Sequence, residues 1–113
     1  MRVEIKDKTN FITMFNELFE NNTINNINAI SIDSRKIQDG DIFIPLKGKT
    51  FDGHEFIAKA FKDGAIKCFS EERQRNKNVI HMKSSTDIIN KLALCWRKKS
   101  RHSIIGITGS NGK

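Results

Sequence analysis

The sequence predicts an α/β domain, a small mixed β-sheet with helices packed on it. Three observations carry that prediction. Apolar residues switch along the chain between short strand-like runs and stretches with three- and four-residue helical spacing, in the order β-α-β-β-α-β-β-α-β. Glycine paired with aspartate, as in Asp39-Gly40 and Asp63-Gly64, punctuates the boundaries. The 113 residues, 37% hydrophobic with one proline, can bury one modest core.

Val3 and Ile5 mark a first strand. Phe11, Ile12, Phe15, Leu18 and Phe19 then recur at helical spacing behind a cap at Thr9 or Asn10. The polar run Asn21-Asn22-Thr23-Ile24-Asn25-Asn26 reads as a loop, and Ala29-Ile30-Ser31-Ile32 as a strand ending at Asp33-Ser34-Arg35. Asp39-Gly40 is a turn; the strand after it spans 41–46, with Pro45 setting it near an edge or a strand end. Residues 48–53 form a loop. Phe56, Ile57, Ala60 and Phe61 give one face of a short helix that Asp63-Gly64 terminates. Strands over 66–69 and 79–82 flank the charged stretch 71–77. Ser84 and Asp87 have capping-box spacing and open a helix whose Ile88, Ile89, Leu92, Ala93 and Trp96 face inward.

Beyond that helix, Ile104 and Ile105 form an apolar strand that opens into Thr108-Gly109-Ser110-Asn111-Gly112-Lys113. A phosphate-binding loop is built this way: glycines let backbone N–H groups turn onto an anion, and the lysine adds a point charge. The general G-x-x-x-x-G-K-[ST] pattern fails at Ile107 and lacks its final hydroxyl residue, which would hold magnesium. The alternative is a glycine turn at a frayed terminus. The expectation is a leading domain over 1–102 and the start of an ATP-binding domain over 103–113, cut from a longer enzyme.

Other features narrow the class. No segment approaches the roughly 20 apolar residues of a membrane span, and no signal-peptide pattern opens the chain, so a cytoplasmic protein without membrane insertion is expected. Cys68 and Cys95 lack metal-ligand spacing and read as buried free thiols, with no metal site. The formal charge of +7 invites a nucleic-acid reading. Much of it, however, sits in Arg97-Lys98-Lys99-Ser100-Arg101-His102 at a helix end, and no aromatic residues interleave with a basic stripe, so no nucleic-acid partner is expected.

The spaced motifs then carry a resemblance. Asp33-Ser34-Arg35-Lys36, Gly40-Asp41-Ile42-Phe43, Leu46-Lys47-Gly48, Phe51-Asp52-Gly53-His54-Glu55-Phe56, Gly64-Ala65 and Gly106-Ile107-Thr108-Gly109-Ser110-Asn111-Gly112-Lys113 stand in the order seen in Mur ligases. These are the ATP-dependent enzymes that build the peptide stem of bacterial cell-wall precursors. Within the family the pattern resembles the members that add D-alanyl-D-alanine to a UDP-N-acetylmuramoyl-tripeptide. Members that add the third stem residue share the Asp-Ser-Arg and Asp-Gly patterns and stay open.

The resemblance implies an N-terminal domain that holds the UDP end of the UDP-N-acetylmuramoyl-peptide. It also implies a central domain using ATP and Mg2+, and a last domain presenting D-alanyl-D-alanine. No catalytic residue is expected within these residues, which alone should be an inactive monomer. Carried over by position, Ile32 and Ser34 match residues that contact the uracil side, while Lys49, Thr50 and Phe51 match a segment along the nucleotide. Thr108 to Lys113 match the ATP phosphate loop.

Each assignment has a plainer alternative. Ser34 can be a turn hydroxyl bonding its own backbone. Arg35 joins the UDP set or simply pairs with Asp33 or Asp41. Asp52-Gly53 reads as turn and cap chemistry, His54 as a surface or capping residue, and His81 as packing. A free-standing nucleotide-binding module and a small nucleic-acid-binding protein remain the readings from other classes.

Overall fold

Helix α1, Lys8–Leu18, forms because Phe11, Met14, Phe15 and Leu18 fall on one stripe, with the first three buried. This is a computed structural model, and it describes residues 1–47 and 52–99. The cap of α1 is Asp7, not Thr9 or Asn10: its carboxylate accepts from the Asn10 N–H at 3.4 Å and from Asn10 Nδ2 at 2.8 Å. A carboxylate three residues ahead of Asn10 reaches the free N–H groups of the first turn, which Thr9 and Asn10, inside that turn, cannot.

The strands are β1 Arg2–Glu4, β2 Ala29–Ser31, β3 Ile42–Phe43, β4 Lys67–Ser70 and β5 Val79–His81. They lie side by side in chain order; β1 is antiparallel to β2, and all later neighbours are parallel. The expected strand over 41–46 shrinks to Ile42–Phe43. Pairing continues one step further, where the Ile44 N–H donates to the Ser31 carbonyl at 2.9 Å, and Pro45 then offers no N–H.

Side chains alternate across the pleat, so Ile42 and Phe69 enter one apolar cluster while Phe43 and Cys68 enter the other. Helices α1 and α3, Ser85–Lys99, cover the first face with Phe11, Phe15, Leu92 and Trp96. Phe11 and Trp96 meet with ring centroids 5.7 Å apart. Helix α2, Ile57–Lys62, covers the other face with Ile57 and Ala60. It ends at Gly64, whose φ of 119° is open to glycine and strained for other residues.

The Ser84 hydroxyl accepts from the Asp87 N–H at 3.0 Å, the capping contact expected for α3. Cys68 is buried, whereas Cys95 is only half-buried, which corrects the expectation for that thiol. Both are free. The strand expected at 104–105 and the domain boundary at 102 lie outside the described residues.

Candidate functional site

Four parallel strands share one direction, so their carboxyl ends, after Ser31, Phe43, Ser70 and His81, line one edge of the sheet. Loops that follow the carboxyl ends of parallel strands are where α/β proteins commonly carry binding residues. Ser31 is fully buried there, and its hydroxyl donates at 2.8 Å to the Asp33 carbonyl or at 3.2 Å to the Met1 carbonyl. That hydroxyl also accepts from the Asp33 N–H at 3.0 Å, which fixes the exit of β2.

Asp33 caps a 3-10 turn, Ser34–Lys36. Its carboxylate accepts from the Arg35 N–H at 2.9 Å, from Arg35 Nε at 3.0 Å and from Arg35 Nη2 at 3.0 Å. The Arg35 side-chain bonds, with the backbone N–H second, hold the Asp33 carboxyl down from 3.8 to about 2. Of the two partners foreseen for Arg35, the structure takes Asp33. Asp41 belongs to Arg2 instead, at 2.8 Å and 3.0 Å. The Arg35 side chain is nonetheless 84% exposed, so part of its guanidinium fork still faces solvent.

The other assigned residues at this edge are Ile32 and Ser34. The Ile32 N–H is taken by the Met1 carbonyl at 2.9 Å, so its carbonyl is the backbone group left to meet a ligand. Ser34 is partly exposed and its hydroxyl has no partner among the described residues, so the self-bonding alternative for it is not seen. Lys49, Thr50 and Phe51 lie outside the described residues, as do Thr108, Gly109, Ser110, Asn111, Gly112 and Lys113.

The residues flanking 48–51 are tied to one another. Lys47 and Asp52 form an antiparallel bridge, and the Gly53 N–H donates to the Leu46 carbonyl at 2.6 Å. Gly53 is required by close approach: a Cβ there would stand 2.9 Å from both the N and the O of Leu46. Asp52 caps the 3-10 turn Gly53–Phe56, accepting from the His54 N–H at 3.0 Å, and this bond leads the causes that lower its carboxyl pKa.

Of the surface and capping roles expected for His54, the structure keeps it in the turn that Asp52 caps and takes its ring off the surface. Its side chain is 12% exposed, with Nδ1 2.7 Å from Asp52 Oδ1 and Nε2 accepting from the Glu71 N–H at 3.0 Å. Sequence reasoning found the cap and missed the second bond, because Glu71 lies 17 residues away and gives no local signal.

Two other polar features lie elsewhere. The Lys67 amine bonds the side-chain oxygens of Asn78 at 3.0 Å and Asn22 at 3.4 Å, and burial lowers its pKa. A groove of about 300 Å3 runs between α1 and α3, lined by Met14, Leu18, Cys95 and Lys98. Among the described residues no group of three or more His, Cys, Asp or Glu could hold a metal ion, and no helix is long and apolar enough to cross a membrane.

Comparison with known proteins gives a consistent set of matches. The model of the Mur ligase family, catalytic domain, matches residues 26–98. The UDP-N-acetylmuramoyl-tripeptide–D-alanyl-D-alanine ligase of Bacillus subtilis is 34% identical over 91 residues, covering 77% of this chain and 20% of that protein. The UDP-N-acetylmuramoyl-L-alanyl-D-glutamate–2,6-diaminopimelate ligase of Phocaeicola vulgatus is 37% identical over 93 residues, covering 77% of this chain and 19% of that protein.

Among solved structures, the MurF ligase of Thermotoga maritima in complex with ADP aligns with a TM-score of 0.53 at 37% identity, over 57% of this chain and 15% of that one. MurF of Acinetobacter baumannii aligns at 0.64 and 21% identity, over 77% of this chain and 21% of its own, a likeness of fold. The chain thus spans about a fifth of the length of the curated relatives it matches.

Proposed function

The chain belongs to the Mur ligase family, and from that premise we propose that residues 1–102 are the domain that recognises the UDP end of a UDP-N-acetylmuramoyl-peptide. The parent enzyme, on this reading, adds D-alanyl-D-alanine to the tripeptide stem, with ATP and Mg2+ serving a central domain that begins at 103. The observation that carries the reading is the single sheet edge where the Asp33–Arg35 turn and the Lys47–Asp52 bridge follow parallel strands β2 and β3. Membership brings the precursor; the edge offers a place for it.

Each residue has a chemical task in this proposal. The Ile32 carbonyl and Ser34 hydroxyl read the polar edge of uracil, Thr50 and Phe51 flank the nucleotide, and Lys49 meets the diphosphate. Arg35 presents its exposed side to the same anion while Asp33 fixes its other side. Thr108 to Lys113 would cradle the ATP phosphates. ATP supplies the phosphoryl group that activates the stem carboxylate, and none of the described residues takes part in that transfer, so these residues alone are inactive. We place the protein in the cytoplasm, as a monomer.

The diaminopimelate-adding relative, at 37% identity, favours a second reading in which the parent ligase adds the third stem residue. The nucleic-acid reading gains nothing from these relatives, whose names are those of muramoyl-peptide ligases. Amide NMR titration with UDP-N-acetylmuramoyl-tripeptide, UDP and ATP tests the domain role. Saturable shifts at Ile32 to Arg35 and Lys49 to Phe51, shared with UDP and absent with ATP, are expected. No shifts at millimolar ligand would overturn it. Amide-bond formation by the full-length enzyme with D-alanyl-D-alanine, compared with a diamino acid, separates the two ligase readings.

A further inference from the structure

The hydrogen bonds around His54 define its protonation state. A backbone N–H can only donate, so Nε2, 3.0 Å from the Glu71 nitrogen, must carry the lone pair. In the neutral ring the proton therefore sits on Nδ1 and is given to Asp52 Oδ1 at 2.7 Å. The ring thus joins two segments far apart in sequence: Asp52 caps the turn Gly53–Phe56, and Glu71 directly follows Ser70, the last residue of β4.

An imidazolium cannot keep both bonds. It carries a proton on each nitrogen and no acceptor, so its Nε2–H would point at the Glu71 N–H, donor against donor. On the other side, positive charge strengthens the pairing with Asp52, whose carboxyl is held below its ordinary value first by the His54 backbone N–H and then by the ring. The ring is only 12% exposed, so water has little room to take either donor in compensation.

Protonation would free the start of the charged stretch 71–77. The next bonds of that stretch turn back on β4: the Glu72 N–H donates to the Ser70 hydroxyl at 3.0 Å, and Gln74 Nε2 to the same oxygen at 3.5 Å. The Glu71 N–H is the group that reaches across to another turn. Charged neighbours act in both directions. Asp52 and Glu55 on the ring's own turn, with Glu71 and Glu72 after β4, favour the charged ring, whereas Lys47, bridged to Asp52, opposes it. On α2, Lys59 is taken by Asp63 at 2.6 Å and Lys62 is exposed. His81, in register with Ser70, is exposed on the neighbouring strand β5.

We propose that His54 is a pH-sensitive latch: the neutral ring fastens the end of β4 to the turn that Asp52 caps, and protonation at Nε2 opens the Glu71 side while the Asp52 side stays closed. The latch is independent of what the sheet edge binds.

The test is NMR on the nitrogen-labelled chain, followed from about pH 8 to about pH 5, the interval in which histidine ordinarily changes charge. A scalar coupling across the N–H···N bond, between the Glu71 amide nitrogen and His54 Nε2, reports the bond itself. At the upper end the coupling should be present, with the ring proton on Nδ1. As the ring gains its second proton the coupling should vanish. Protection of the Glu71 amide against exchange, corrected for the intrinsic effect of pH, should fall about tenfold. In His54→Gln, whose side-chain oxygen accepts at every pH, that protection should be the same at both ends. His81→Gln should keep the wild-type response.

A neutral ring with its proton on Nε2 overturns the proposal. So does a coupling that survives protonation, a ring that keeps one charge state across the interval, or a fall in protection of the same size in His54→Gln. Loss of the response in His81→Gln overturns it as well, by assigning the response to the other histidine. The coupling is read in the unaltered protein, so the decision does not depend on a variant folding.

Discussion

Arg2 grips Asp41 across 39 residues of chain, with Nε 2.8 Å from Oδ2 and Nη2 3.0 Å from Oδ1. The Asp41 side chain is fully buried and that of Arg2 is 11% exposed. Asp41 also accepts from the Gln38 N–H at 2.9 Å, so one carboxylate joins β1 to the turn that launches β3. Arg2→Met leaves that carboxylate buried without its counter-charge. We expect a loss of about 3–5 kcal/mol in urea unfolding. The double variant Arg2→Met with Asp41→Leu should regain much of it, and a single-variant loss below about 1 kcal/mol would contradict this account.

Asp33 sets a pH dependence whose sign follows from its depressed carboxyl. Its stabilising contribution is fully present above the ordinary value of 3.8 and is lost as pH falls toward about 2. Carbon-detected NMR of the Asp33 carboxyl should give a midpoint near 2 in the wild type and a return toward 3.8 in Arg35→Ala. A wild-type midpoint at the ordinary value would mean the turn is not held as described.

The thiols should separate cleanly under alkylation. Burial pushes the Cys68 thiol up to about 12, so it offers almost no thiolate at pH 8, while Cys95 is half-buried beside the groove between α1 and α3. Mass spectrometry after iodoacetamide at pH 8 should find Cys95 modified in the native protein and Cys68 only after unfolding. Equal labelling of the native protein would refute the burial of β4.

Gly53→Ala tests the close approach of the Lys47–Asp52 bridge to the Leu46 backbone. The new Cβ would meet backbone at every near point, 2.9 Å from Leu46 N and O and 3.1 Å from Pro45 Cα, and backbone cannot swing away as a side chain can. We expect a cost of about 1–3 kcal/mol and amide shifts at Leu46 and Lys47. An unchanged melting temperature with unchanged shifts would show that the close approach is not required.

Much of this fold is legible locally, because pleat and helix periods are local properties. The Phe11, Phe15 and Leu18 stripe, the Ser84 cap and the Asp63-Gly64 stop are all found where the sequence places them. The failures come from contacts that sequence spacing does not carry. Asp7 outcompetes Thr9 and Asn10 because a cap must stand outside the first turn. Asp41 pairs with Arg2 instead of Arg35 because β1 lies beside β2, a relation visible only after folding. The sequence alone makes His54 a surface or capping residue, because its second partner, Glu71, is brought close only by β4 lying next to β3.

The order of strands in the sheet is the order of strands in the chain, from β1 to β5. Among the described residues each strand therefore lies beside the one that precedes it in the chain, and none is inserted between two earlier ones. Strands that neighbour in the sheet follow one another in the chain, so the closure entropy at each pairing is smaller than a connection skipping a strand would require. A chain leaving the ribosome from its amino end can add strands in turn, each on the growing edge left by the strand before it.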